Sequence, residues 1–301
     1  MTASDLCHQA GLCPLCGGAL RDDLLTITQP DRFELAVGVE AAGYRRVWRE
    51  CGGCGAAINQ NDVDVTRKLQ AVAKNYYEID LGSSIGAKYQ RVMNLPEAQS
   101  DNAGRTRRVI EKYLDLRKKQ KWPQSDAIRV ADVGAGTGVF LAKARQVCAE
   151  KGVTLEAVAI EPDPIAAAHL RTLGIARVYE GLLDEKFSET EFDLVTCNKV
   201  IEHIEDPVPA LEQGRRILNE RGGLIYVEVP DVQTVRHRPA TDNILGALHH
   251  HLFDLNSLDR LFRRAGLVPV DIQRIVDPSG KLTVFGFAMS PRRYQLLASR
   301  T

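Results

Sequence analysis

From residue 126 onward, apolar runs of strand length alternate with segments whose apolar positions recur at helical spacing. The pattern predicts strands at Ile128–Val133, Leu155–Ile160, Ala176–Tyr179, Phe192–Cys197, Gly223–Val229, Val268–Ile275 and Thr283–Met289. Helices fit between them at Val139–Lys151, Pro164–Leu173, Pro207–Ile217 and Ser257–Ala265. Strands buried on both faces and separated by amphipathic helices belong to a mainly parallel sheet with helices on each side. An α/β, doubly wound domain is therefore expected over residues 126–301.

The first 125 residues read differently. Residues 63–125 are rich in helix formers, with helical periodicity at Val63–Lys74 and Arg105–Lys121, and Trp122-Pro123 ends the second helix. In residues 1–62 the segments Leu24–Ile27, Phe33–Val37 and Tyr44–Trp48 alternate in polarity. Gln29-Pro30-Asp31, Gly38 and Gly43 separate them, so a small antiparallel sheet is expected. Such a unit encloses little core and needs a staple.

The cysteines supply one. Cys13-Pro-Leu-Cys16-Gly and Cys51-Gly-Gly-Cys54-Gly are two CxxC pairs, a spacing that turns two thiolates toward one ion. Four thiolates predict closed, tetrahedral, structural Zn2+ held by Cys13, Cys16, Cys51 and Cys54; reduced thiols or a redox pair are the competing readings. Cys7 reads as a spare, and Cys148 and Cys197 as small core residues. The first residues show no secretory pattern, so a cytoplasmic setting is expected, where paired CxxC motifs bind metal before they form disulfides.

Overall composition is that of a globular chain, 44% hydrophobic and 26% charged, with no apolar run near the ~20 residues of a membrane span. Basic and acidic residues balance at 39 each, which argues against a protein that grips nucleic acid through its phosphates. Arg105–Lys121 is locally basic, with only Glu111 and Asp115 opposing its Lys and Arg, and reads as a solvated helix face.

The chemistry concentrates where the first strand of the α/β domain ends. Val130-Ala-Asp-Val-Gly134-Ala-Gly136-Thr-Gly138 runs from an apolar strand through three alternate glycines into a helix, a turn that lets a ligand approach the backbone. The next strand ends in Glu161, placed for the hydroxyls of an adenosine ribose. A dinucleotide fingerprint wants Gly or Ala where this chain has Val139, and Asp132 stands where dehydrogenases carry an apolar residue.

These segments, with Phe192–His203 and Gly222–Pro230, resemble the ordered motifs of class I S-adenosylmethionine-dependent methyltransferases over roughly residues 105–290. The resemblance implies a Rossmann-like sheet with an antiparallel last strand. It implies that Asp132, Gly134, Ala135, Gly136 and Gly138 hold the methionine end of S-adenosylmethionine and Glu161 the ribose. Gly181 and Leu182, within Glu180–Leu183, would flank the adenine, and Asn198 would stand near the sulfonium.

The four-cysteine unit, the intervening helices and the segment His249–Leu258 are similar to deoxysugar C-methyltransferases. That likeness implies a sugar-like small-molecule acceptor and catalytic roles for His249, His203, Tyr76 and Tyr77, the tyrosines lying ahead of Gly82-Ser83-Ser84. The family carries Tyr and Glu just before its histidine, whereas this chain has Gly246 and Leu248. Proton removal from carbon loses its usual groups, while a hydroxyl acceptor needs a single base, which a histidine supplies. C- versus O-methylation stays open. An RNA methyltransferase using the zinc module, or a binding module without catalysis, are the alternatives. Three consecutive histidines, His249–His251, point in different directions and do not share one metal among themselves.

Overall fold

The computed structural model describes residues 11–73, 84–120, 122 and 125–298. Near the N-terminus, β1 (Leu20–Ile27), β2 (Arg46–Cys51) and β3 (Ala57–Gln60) pair antiparallel in chain order. The expected strand at Phe33–Val37 is instead a helix, Arg32–Ala36. A capping box decides it: the Asp31 carboxylate accepts from the backbone N–H groups of Phe33 and Glu34, while Glu34 reaches back to the Asp31 N–H. The turn also buries Glu34 against Arg46, 3.3 Å away, and the Tyr44 hydroxyl donates to the same carboxylate. Local capping and a buried ion pair outweigh the alternation of apolar residues.

Helices Val63–Ala73, Ile85–Met93 and Asp101–Lys119 follow. Ser84, expected in a loop, caps the second of these by accepting from Ala87 N–H. The third was expected as a solvated basic face, and this is corrected: Arg105 and Arg117 are buried. Arg105 and Arg108 both donate to Glu228, and Lys112 pairs with Asp271 at 2.7 Å. Glu228 is fully buried, and a carboxylate there is costly unless paired, which accounts for Arg105 and Arg108 turning inward.

The second sheet holds β4 (Ala127–Val133), β5 (Thr154–Glu161), β6 (Arg177–Glu180), β7 (Leu194–Asn198), β8 (Leu224–Pro230), β10 (Val268–Val276) and β11 (Leu282–Met289). Their order is β10-β11-β8-β7-β4-β5-β6, and β11 runs antiparallel to both neighbours while β4 to β8 pair in parallel. This is the doubly wound sheet with an antiparallel last strand that the sequence predicts. Alternate residues face opposite layers. Val130, Ala157 and Leu224 pack under Asp101–Lys119 and Val139–Glu150, whereas Ala131, Val158 and Ile225 face Pro207–Ile217 and Leu255–Arg264.

A two-residue strand, β9 (His251–Leu252), leaves the α/β domain and pairs with β3, completing the small sheet. Cys13, Cys51, Cys54 and Ile58 share a core with Phe253, Leu258 and Leu261. Among the described residues no helix is long and apolar enough to cross a membrane.

Candidate active site and cysteine cluster

Strand β4 sits between β5 and β7, so its carboxyl end lies at the switch point where open α/β sheets bind ligands. Gly134 and Gly138 take left-handed conformations there, φ +64° and +77°. A Cβ on Gly134 would lie 2.6 Å from a Val200 methyl, and one on Gly138 would lie 2.8 Å from Leu170. Glycine is therefore required twice over, by φ and by space. Gly136 N–H donates to Glu161 Oε2 at 2.8 Å, and Asp163 N–H to Oε1 at 2.9 Å, so the carboxylate at the end of β5 is tied to the glycine loop. Burial raises the Glu161 pKa, and those backbone donors oppose the shift. Gly181 N–H reaches Glu161 O at 3.1 Å, and Leu182 next to it is 64% exposed, an apolar side chain left facing outward at this rim. Ala135 is buried in the turn itself.

Asp132 and Asn198 meet across the β4–β7 pair. The Asp132 carboxylate accepts from Asn198 Nδ2 at 2.9 Å and from the Thr196 hydroxyl at 2.6 Å. Burial pushes the Asp132 pKa up to about 7 despite these two donors. Asn198 Oδ1 is buried with no hydrogen-bond partner. A buried acceptor beside a carboxylate suits a cationic ligand group, and orphaned polar atoms of this kind mark ligand positions.

Beyond Asn198 the chain turns through Lys199 at φ +60° into a 3₁₀ turn, Ile201–His203. That turn brings His203 to His249, whose rings stand 4.4 Å apart at 63°. Each Nδ1 faces a backbone carbonyl, Leu248 O at 3.0 Å for His203 and Ile244 O at 2.6 Å for His249. Desolvation lowers both pKa values, that of His203 to about 4, and at His249 the neighbouring His203 adds to the lowering. Both are neutral imidazoles at physiological pH. The three consecutive histidines do diverge: His251 binds the Ile204 and Glu205 carbonyls, and His250 N–H donates to Glu202 O.

Several residues given no role by sequence reasoning belong here. Glu202 is buried with Oε2 unpartnered, and burial takes its pKa to about 7 against the pull of Lys199. Lys199 Nζ donates to Thr283 Oγ1 at 2.8 Å and stands 3.7 Å from Glu228. Burial works to raise the Glu228 pKa, but Arg105 and Lys199 hold it well below the usual carboxylate range. Glu202 was visible as the acid preceding His203; the others had no sequence signal. Tyr76, Tyr77, Gly82, Ser83 and Cys7 lie outside the described residues.

The four cysteines converge as their spacing implied. Cys13 and Cys54 sulfurs are 3.8 Å apart, those of Cys16 and Cys51 are 3.4 Å apart, and all four lie within 4.8 Å of one another as free thiols. A tetrahedron with ~2.3 Å metal–sulfur bonds has edges of about 3.8 Å, so one ion fits. Cβ atoms on Gly18 or Gly53 would crowd the sulfurs at 3.2 and 3.3 Å, which explains glycine beside each pair.

The departures before His249 have a structural cause. A side chain at Gly246 would meet the Asp31 carboxylate at 2.9 Å, and Leu248 packs with Phe33 and Leu69. Both positions serve contacts with the N-terminal unit.

Comparison with known proteins agrees with this geometry. A family model described as "Methyltransferase domain" matches residues 101–272. The ubiquinone biosynthesis O-methyltransferase of Pseudomonas aeruginosa is 28% identical over 104 residues, 33% of this chain and 43% of that protein. The enzyme of the same name from Histophilus somni is 27% identical over 106 residues, with the same shares covered. The match thus spans less than half the length of these curated relatives. Among solved structures, the Burkholderia thailandensis 1,6-didemethyltoxoflavin-N1-methyltransferase, with its substrate and S-adenosylhomocysteine bound, aligns with TM-score 0.50 at 17% identity. It covers 81% of this chain and 95% of its own, and shares the fold.

Proposed function

We propose that this chain, which belongs to the methyltransferase-domain family, transfers the methyl group of S-adenosylmethionine to a hydroxyl of a sugar-like small molecule. The observation that carries the reading is the turn Lys199–His203, whose Val200 packs against Gly134 while His203 stands against His249. It joins the cofactor loop to a pair of neutral bases.

On this reading Glu161 binds the ribose, Leu182 and Gly181 border the adenine, and Asp132 with Asn198 receives the methionine ammonium. Gly134, Ala135, Gly136 and Gly138 pass beneath the methionine portion. The sulfonium is an activated leaving group, so positioning supplies much of the rate. His249 or His203 takes the acceptor proton, because each is neutral at pH 7. Gly246 and Leu248 offer no acid or base, which favours oxygen over carbon as the methylated atom, as does the name of the curated relatives. Zn2+ at Cys13, Cys16, Cys51 and Cys54 is structural, since four thiolates leave no open position.

An RNA acceptor loses its motive because Arg105, Arg108 and Lys112 are engaged with Glu228 and Asp271. The test is incubation with methyl-labelled donor and a panel of nucleotide sugars, free sugars and phenols. Label in a sugar hydroxyl supports the proposal; label in none, with salt-sensitive RNA methylation instead, overturns it.

A further inference from the structure

We propose that the Lys199 ammonium binds the acceptor oxygen and stabilises the negative charge that develops there during methyl transfer, an inference that rests on the hydroxyl-acceptor reading above. Lys199 directly follows Asn198 at the end of β7 and opens the turn to His203, so it stands between the proposed cofactor residues and the proposed bases. Its φ of +60° is a conformation that residues with a Cβ seldom adopt and that glycine takes without strain. A lysine kept there is a sign that its side chain has a task.

The contacts that hold the side chain leave its charge unspent. An ammonium carries three N–H donors, and among the described residues it makes one hydrogen bond, to Thr283 Oγ1 at 2.8 Å. Thr283 in turn donates to Asp277 Oδ2 at 2.7 Å, which commits its hydroxyl proton and leaves a lone pair for Lys199. Glu228 stands 3.7 Å away, too far to accept, and both its oxygens are already met. Arg105 donates to Oε1, while Arg108 at 2.8 Å and the Tyr226 hydroxyl at 2.6 Å donate to Oε2. The charged groups acting on Lys199 are Glu228, Glu202, Asp277 and Arg105. Its side chain keeps 27% of its surface exposed, so it is anchored without being enclosed.

The chemistry of the proposed bases calls for such a charge. Methyl transfer joins the acceptor oxygen to the methyl carbon and breaks the C–S bond, whose electron pair stays on sulfur. The hydroxyl proton passes to the imidazole of His249 or His203. An imidazole with its pKa lowered, to about 4 at His203, is a weak base toward an alcohol. The proton moves only if the charge left on oxygen is stabilised, and a fixed cation in a desolvated site supplies that. The field of Lys199 reaches the proposed base, since its charge adds to the lowering of the His249 pKa.

The test uses para-nitrophenol bound to the full chain, its ionisation followed by the absorbance of the phenolate. Bound to the wild type, the phenol should ionise at a pH about one unit lower than in water, a tenfold gain in acidity. Lys199→Met should abolish the shift, and Lys199→Arg, which keeps a cation, should preserve most of it, with melting temperature verifying that each is folded. A phenol that does not bind the wild type, or binds it with no gain in acidity, overturns the proposal. An undiminished shift in folded Lys199→Met overturns it equally. No turnover is read, so a chain that acidifies the phenol yet methylates nothing refutes the methyl-transfer reading alone.

Discussion

Asn59 Nδ2 donates to the carbonyl oxygen of His249 at 2.8 Å, so a strand that starts beside the cysteine cluster grips the loop carrying the proposed base. Arg46 adds a bond to Leu245 O at 2.9 Å, and Asn61 one to Ala247 O at 2.9 Å. The N-terminal unit is thus a support for residues 244–251, and its stability is coupled to the geometry of the site.

Asn59→Ala removes that grip without touching the cofactor loop. A lost bond to buried backbone is worth ~1–2 kcal/mol, so turnover should fall about tenfold. Cofactor affinity, read by calorimetry, should stay the same. Equal losses in both would contradict the division of labour.

Cys13→Ser should lower zinc content and melting temperature together, because metal binding contributes to folding. Hydrogen exchange at residues 244–251 should accelerate in the same variant. If exchange there is unaltered while zinc is gone, the support runs through something other than the metal.

Glu161 is the residue proposed to hold the ribose of the cofactor. Glu161→Ala should weaken S-adenosylmethionine by roughly 1–3 kcal/mol, the scale of a lost charge-assisted pair. Calorimetric affinity equal to wild type would remove Glu161 from the site.

Asp132, on the proposed reading, should make cofactor binding depend on pH. Its pKa near 7 in the folded chain means that the carboxyl is mostly protonated at pH 6 and half ionised at pH 7. A methionine ammonium favours the ionised form, so binding expels a proton and affinity should rise roughly fivefold from pH 6 to pH 7. Asp132→Asn should flatten that rise. The same elevated pKa favours folding fully below the ordinary aspartate pKa, and this contribution disappears as pH climbs through 7.

Gly134→Ala meets a φ of +64° and a Val200 methyl at 2.6 Å. It should cost about 1–3 kcal/mol in stability, measured by urea unfolding, and weaken the cofactor. Adding Val200→Ala should recover the part due to collision but not the part due to φ. Full recovery would show that φ carries no penalty here.

Periodicity alone determined the alternating strands and helices of the α/β domain, because buried parallel strands and amphipathic helices leave patterns in the chain itself. The glycine loop, Glu161 and the two CxxC pairs were legible for a similar reason: each function rests on residues close in sequence or on a fixed spacing. Phe33–Val37 misled because its alternation suits a strand, while Asp31 and Glu34 close a helical capping box. Only the tertiary structure could bring β9 to β3, Arg105 to Glu228, or His203 to His249, since these partners come from distant segments. Desolvation then shifts proton affinities, raising the pKa values of Asp132 and Glu202 and lowering those of His203 and His249. A side chain's type is written in the sequence; the dielectric and the neighbours that fix its charge exist only once the chain has folded.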